Sequence, residues 1–145
     1  MKPSIASVLE SIRNHIASSV DSDVFLGAPD DSVSGVYIFP FHFREDPTLR
    51  NTPVDRTQGP VDRTQGSQFH AYVIECLLMT NPPSDFETLG RGLEYLHGNP
   101  IVDLEEERGQ ITISNNSAEE LSRVFLGSGI VYRLAVGFDV RFTCK

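Results

Sequence analysis

The chain has no tryptophan, only two methionines and two cysteines, and fewer basic than acidic residues. Each shortage excludes something. Cys76 lies inside an apolar run and Cys144 next to the last residue, with no CxxC spacing and no framework of paired positions. A disulfide scaffold and a thiolate metal site are therefore excluded, and free, reduced thiols are expected. Twelve Lys and Arg stand against twenty Asp and Glu, a net charge of -8, and the cations are scattered. That leaves no electrostatic footprint for a phosphate backbone, so nucleic acid is not an expected partner. No uninterrupted apolar run approaches the ~20 residues of a membrane span. The first residues, MKPSIASVLESIRNHIASS, are too polar for a secretory core segment. A soluble, cytoplasmic protein with no membrane insertion is the expectation.

Catalytic constellations are missing too. His15, His42, His70 and His97 stand alone, without HxH, HExxH or a carboxylate at ligand spacing, so no metal is implied. Gly127-Ser128-Gly129 lacks the outer glycines of a nucleophile elbow and follows a helical pattern instead of preceding one, which makes it a turn. Gly90-Arg91-Gly92 lies within a helical pattern and lacks the third glycine of a dinucleotide fingerprint. Gly92, beside Leu89 and Leu93, reads instead as a point of close approach by another backbone. The acidic residues 103–107, DLEEE, read as a solvated loop. No cofactor and no enzymatic activity are expected.

What is present is an ordinary globular composition, 39% apolar and 22% charged, over 145 residues. That is the usual size of one domain with its own core, so residues 1–145 are expected to form a single unit. Ile5, Val8, Leu9, Ile12 and Ile16 recur at three-and-four spacing behind Ser4, predicting an amphipathic helix with a serine N-cap. Residues 27–35, GAPDDSVSG, read as a loop. Residues 36–43, VYIFPFHF, predict a strand covered on much of both faces, with Pro40 requiring an edge or a bulge. Residues 69–79, FHAYVIECLLM, predict a central strand.

A second helix is expected over SDFETLGRGLEYLHGNP, with a Ser84/Glu87 capping box, a stripe of Phe86, Leu89, Leu93 and Leu96, and a Gly98-Asn99-Pro100 stop. A short strand at 110–114 precedes a third helix, capped by Ser117 and Glu120 and closed at Gly127. The last segment alternates from Tyr132 to Thr143. It predicts a strand burying Tyr132, Leu134, Val136, Phe138, Val140 and Phe142 and turning Arg133, Asp139 and Arg141 to the polar side. The expected fold is α+β, a mixed α/β layer, with a sheet of about four strands and helices mainly on one face.

One stretch is uncommon. The heptapeptide PVDRTQG occurs twice in succession, at 53–59 and 60–66, inside a connection of about 25 residues, 44–68, between two strands that a short hairpin turn could join. Such a loop is either a neutral insertion or an interaction arm. As an arm it explains its length and its arginines, since arginine is enriched at interfaces. Arg44, Glu45, Asp46, Leu49, Arg50, Asn51, Arg56 and Arg63 are the candidate partner-binding residues.

The passage GVYIFPFHFREDPTLRN resembles the strand followed by Glu-Asn-Pro-x-Leu-Arg-Asn in cap, or tail-terminator, proteins of phage-tail-like contractile injection systems. In that family a variable loop rich in proline and arginine comes next, then an apolar strand, a place that residues 69–79 take here. LGRGLEYLHGNPIV is similar to the family's Leu-Gly…Leu-His-x-x-Pro passage through Leu89, Gly90, Leu96, His97 and Pro100. ITISNNSAEELSRVF with YRLAVGFDVRF resembles its closing strand, helix and strand. The resemblance spans nearly the whole chain. The departures are Asp46 at a frequent Asn, Phe125 near a frequent Trp, and an end at Lys145 where many relatives continue. The resemblance implies a tail-terminator-like fold and a structural, non-enzymatic protein. It would form a hexameric ring, the homo-oligomer capping one end of the particle, with inner-tube and sheath proteins as its partners. A small protein- or ligand-binding module without catalysis is the alternative.

Overall fold

The computed structural model describes residues 4–46, 70–105 and 107–144. Three helices, α1 (Ile5–Ala17), α2 (Phe86–Gly98) and α3 (Ala118–Ser128), pack on a six-stranded sheet. Its strands are β1 (Val24–Leu26), β2 (Gly35–Glu45), β3 (His70–Asn81), β4 (Ile101–Asp103), β5 (Arg108–Ile113) and β6 (Val136–Cys144). The spatial order is β1-β2-β3-β6-β5-β4, with β1 parallel to β2 and every other pair antiparallel. The mixed α/β layer stands, with six strands instead of about four. The two additional strands, β1 and β4, are three residues each, too short for alternation to be read.

Successive strand residues point to opposite faces, so the two apolar clusters reveal two layers. Val36, Ile38, Ile74, Cys76, Leu78, Phe138 and Val140 meet Val8, Ile12 and Ile16 of α1 and Leu89 and Leu96 of α2 on one face. Leu77 and Met79 meet Phe125, Leu121 and Val124 of α3 on the other, beside Phe39 and Phe41. Two helices share a face and the third lies opposite. The close approach at Gly92 is to a side chain, not a backbone. A Cβ there would stand 2.7 Å from the Leu78 side chain, so the missing side chain seats α2 on β3.

Local signals explain most element ends. Ser4 and Ser7 form a reciprocal capping box at α1. The cap of α2 is Asp85, whose carboxylate accepts the Thr88 amide, not Ser84. Phe86, expected in the buried stripe, sits at the first helical position and is exposed. Ser117 accepts the Glu120 amide as expected, but α3 closes at Gly129, in the left-handed conformation, two residues beyond Gly127. Only glycine adopts that conformation without a Cβ penalty.

Pro40 shows both of its expected signatures. The Ile38 carbonyl accepts from Gly27 and the Val36 amide donates to Asp23, so even-numbered β2 residues direct their backbone polar groups toward β1. Pro40 is the next such position, and β1 has already ended at Leu26, so its missing N–H falls where no strand among the described residues pairs with β2. A bulge follows between Pro40 and His42. It reverses the faces. Phe43 now opposes Ile74 on the α1/α2 side, whereas His42 opposes Glu75 on the other.

The closing strand departs most from expectation. Phe138, Val140 and Phe142 are buried, but β6 begins only at Val136. Tyr132 and Leu134 lie before it, 59% and 61% exposed, while Arg133 between them is 6% exposed. The polar residue is inside and the apolar ones outside.

Candidate functional site

Antiparallel β2 and β3 are neighbours in the sheet, and both ends of the long connection emerge from this pair. Arg44 and Glu45 are the last residues of β2 and Asp46 follows directly. The strand thus extends two residues into the segment read as loop. Asp46 is 5% exposed; its amide donates to the Ala71 carbonyl at 2.7 Å and its carboxylate pairs with Arg141 Nε at 2.9 Å. Those bonds fix the point where the chain leaves the sheet. Glu45 pairs with His70 Nδ1 at 3.3 Å, joining the exit of the connection to its return. Three residues upstream, just past the bulge, His42 pairs with Glu75 across the strands. Phe43, 42% exposed, stacks on Tyr72 at 5.1 Å between ring centres, and Tyr72 meets Phe142 at 5.9 Å.

Arg44, Glu45 and Asp46 are therefore brought together at one end of the sheet. Leu49, Arg50, Asn51, Arg56 and Arg63 lie outside the described residues, as do both copies of PVDRTQG. His42 and His70 are held by carboxylates, and His15 Nε2 lies 2.9 Å from the Asn99 carbonyl oxygen.

Among the described residues no three His, Cys, Asp or Glu side chains are grouped to hold a metal ion, and no helix is long and apolar enough to cross a membrane. An open cleft of about 440 Å³ is lined by Asp21, Ser22, Asp23, Ser34, Gly35, Asn81, Pro82 and Asp85, polar along most of its wall. Cys76 is fully buried, and burial, reinforced by the negative charges of Asp139 and Glu75, pushes its thiol far up. A protonated thiol is a poor nucleophile. Cys76 is expected to resist alkylation by iodoacetamide in the native protein and to react once denaturant is added, as read by peptide-resolved mass spectrometry. Modification of Cys76 under native conditions would contradict that burial.

Sequence reasoning missed a second surface. Leu126 is 84% exposed on the last turn of α3, and Val131, Tyr132 and Leu134 are exposed in the connection to β6. The Tyr132 ring packs edge-on against Phe125 at 5.3 Å, placing this connection against the helix end. Arg133 anchors it from beneath, donating from Nε to the Val131 carbonyl at 3.2 Å and from Nη1 to the Thr80 carbonyl at 3.0 Å. One sequence signal was available. Residues 121–138 contain no Asp or Glu in a chain that has twenty.

Known proteins share this architecture. A cryo-EM structure of the sheath/tube terminator of an extracellular contractile injection system, PVC, in its extended state superposes with a TM-score of 0.69 at 14% identity, over 99% of this chain and 57% of that one. The tube-terminating cap of the anti-feeding prophage superposes with a TM-score of 0.71, also at 14% identity, over 98% of this chain and 55% of that one. The chain thus spans a little over half the length of each. No curated protein matches its sequence. The family model described as the Pvc16 N-terminal domain matches residues 5–143, and the chain belongs to that family.

Proposed function

We propose that this protein is a structural assembly factor that caps the end of the inner tube and sheath of a contractile, phage-tail-like injection particle. It would end polymerisation there as a six-fold ring. The observation that carries this reading is the superposition of nearly the whole chain on two terminator caps, with both layers of the sheet included. Its action is one of binding, not catalysis, and its place is the cytoplasm, at one end of the assembled particle. A closed ring of identical subunits needs head-to-tail contacts that return on themselves.

The connection between β2 and β3 is the proposed arm, reaching tube, sheath or a neighbouring cap through Arg44, Glu45, Leu49, Arg50, Asn51, Arg56 and Arg63. Asp46, buried against Arg141, fixes the base from which the arm departs. Each PVDRTQG copy adds one Asp and one Arg, so duplication lengthens the arm without changing its net charge. Lengthening a loop is mild, about 0.6 kcal/mol per doubling. Deleting residues 60–66 is therefore expected to leave the melting temperature unchanged, checked by circular dichroism; a variant that fails to fold would place the segment in the core. Replacing Leu49 and Arg50 with Ala is expected to weaken assembly while sparing the isolated domain.

Adding the purified chain to polymerising inner-tube protein tests the reading as a whole. Growth arrest at amounts far below that of tube subunits is expected, whereas tubes of unaltered length would overturn it.

A further inference from the structure

The surface around the end of α3 has an inverted distribution of polarity. Arginine is among the residues least often buried, and an exposed apolar cluster is more informative than any single exposed leucine. Here Arg133 is 6% exposed while its neighbours Val131, Tyr132 and Leu134 are 59–70% exposed, and Leu126 beside them 84%. Four of the ten exposed large hydrophobic residues described in the protein thus fall within nine positions of the chain. Folding alone does not favour this arrangement, because turning the segment over would bury two apolar side chains and return a guanidinium to water. The Arg133 bonds to Thr80 and Val131 hold it as it is.

The charge pattern makes this a surface that a second copy can approach without setting carboxylates against carboxylates. The chain carries a net charge of -8, so two copies repel as they approach, most strongly where carboxylates would be set against carboxylates. Residues 121–138 are free of Asp and Glu, with Arg123 neutralised by Glu119 at 2.8 Å and Arg133 buried. Whatever part of a second copy meets them, no pair of carboxylates is forced together. The geometry points to the surface formed by Leu126, Val131, Tyr132 and Leu134 as a subunit contact that takes a second copy of this chain, with Arg133 as its positioning residue. The inference deepens the ring reading and rests on its premise that copies of the chain associate.

Sedimentation velocity and native mass spectrometry of the full chain across a range of concentration and salt test it. The wild type is expected to self-associate, and more tightly as salt screens the repulsion between acidic bodies. Leu126→Glu and Leu134→Glu are each expected to weaken association by about tenfold or more, the scale of a central interface residue. Both side chains are exposed, so an unchanged melting temperature is expected alongside. Ile5→Glu, at an exposed apolar position on α1, should leave association unaltered.

A wild type that stays monomeric at every concentration, or patch variants that associate as the wild type does, would overturn the inference. Failure of the cap reading looks different. A wild type that self-associates through this surface yet never arrests tube growth keeps the contact and loses the cap, whereas Leu126→Glu arresting growth as well as the wild type loses the contact and keeps the cap.

Discussion

Phe138→Ala is expected to lower the stability of this domain by about 3–5 kcal/mol, the usual range for emptying a fully buried aromatic site. Phe138 lies on β6, between β3 and β5, opposite Cys76 on one side and Ile113 on the other, and has no exposed surface. Its ring belongs to the cluster that joins α1 and α2 to the sheet, so truncation leaves a cavity bounded by strands on both sides and helices above. Strands paired on both edges have little freedom to collapse into it. Urea denaturation followed by far-ultraviolet circular dichroism reads the effect as a lower midpoint with little change in slope. A loss below about 1 kcal/mol would mean that the centre of the sheet is not where Phe138 lies. Leu126→Ala serves as the contrast, because Leu126 is 84% exposed and contributes little to the core.

Arg133→Ala is the second large effect, expected at about 2–4 kcal/mol, since it removes two charge-assisted bonds and the side chain that fills their site. The Thr80 carbonyl, at the end of the central strand, and the Val131 carbonyl would both lose the donor they now have. Thermal melting monitors the loss. The intrinsic fluorescence of tyrosine, in a chain free of tryptophan, reports on the environment of Tyr132 as the connection is released. A variant as stable as the wild type would show that burying the cation costs as much as its bonds return. In that event the outward display of Tyr132 and Leu134 would need another cause.

Much of the fold is legible in the sequence because periodicity and capping are local. The stripe of Val8, Ile12 and Ile16, the Ser117 cap and the near-continuous apolar run of β3 each identify an element without knowledge of its neighbours. Pro40 even foretells its bulge. The features that escape are decided by tertiary contact. β1 and β4 are strands only because β2 and β5 lie beside them. Asp85 prevails over Ser84 as cap because its carboxylate reaches the Thr88 amide.

The alternation from Tyr132 onward misleads only at its start, because it does not show where burial of the apolar set gives way to a tertiary contact. Thr80 settles that by accepting Arg133, and the burial pattern then changes phase before β6 begins. At the candidate arm, the identity of Arg44, Glu45 and Asp46 was legible. Their distribution was not, because pairing of Asp46 with Arg141 joins positions 95 residues apart in sequence.

The most direct test of the cap reading is electron microscopy of particles assembled with and without this protein, with an antibody or tag marking the chain. The account predicts label at one end of each particle, and tubes and sheaths of widely scattered length when the protein is absent. Label spread along the shaft, or particles of normal length and normal ends without the protein, would contradict it.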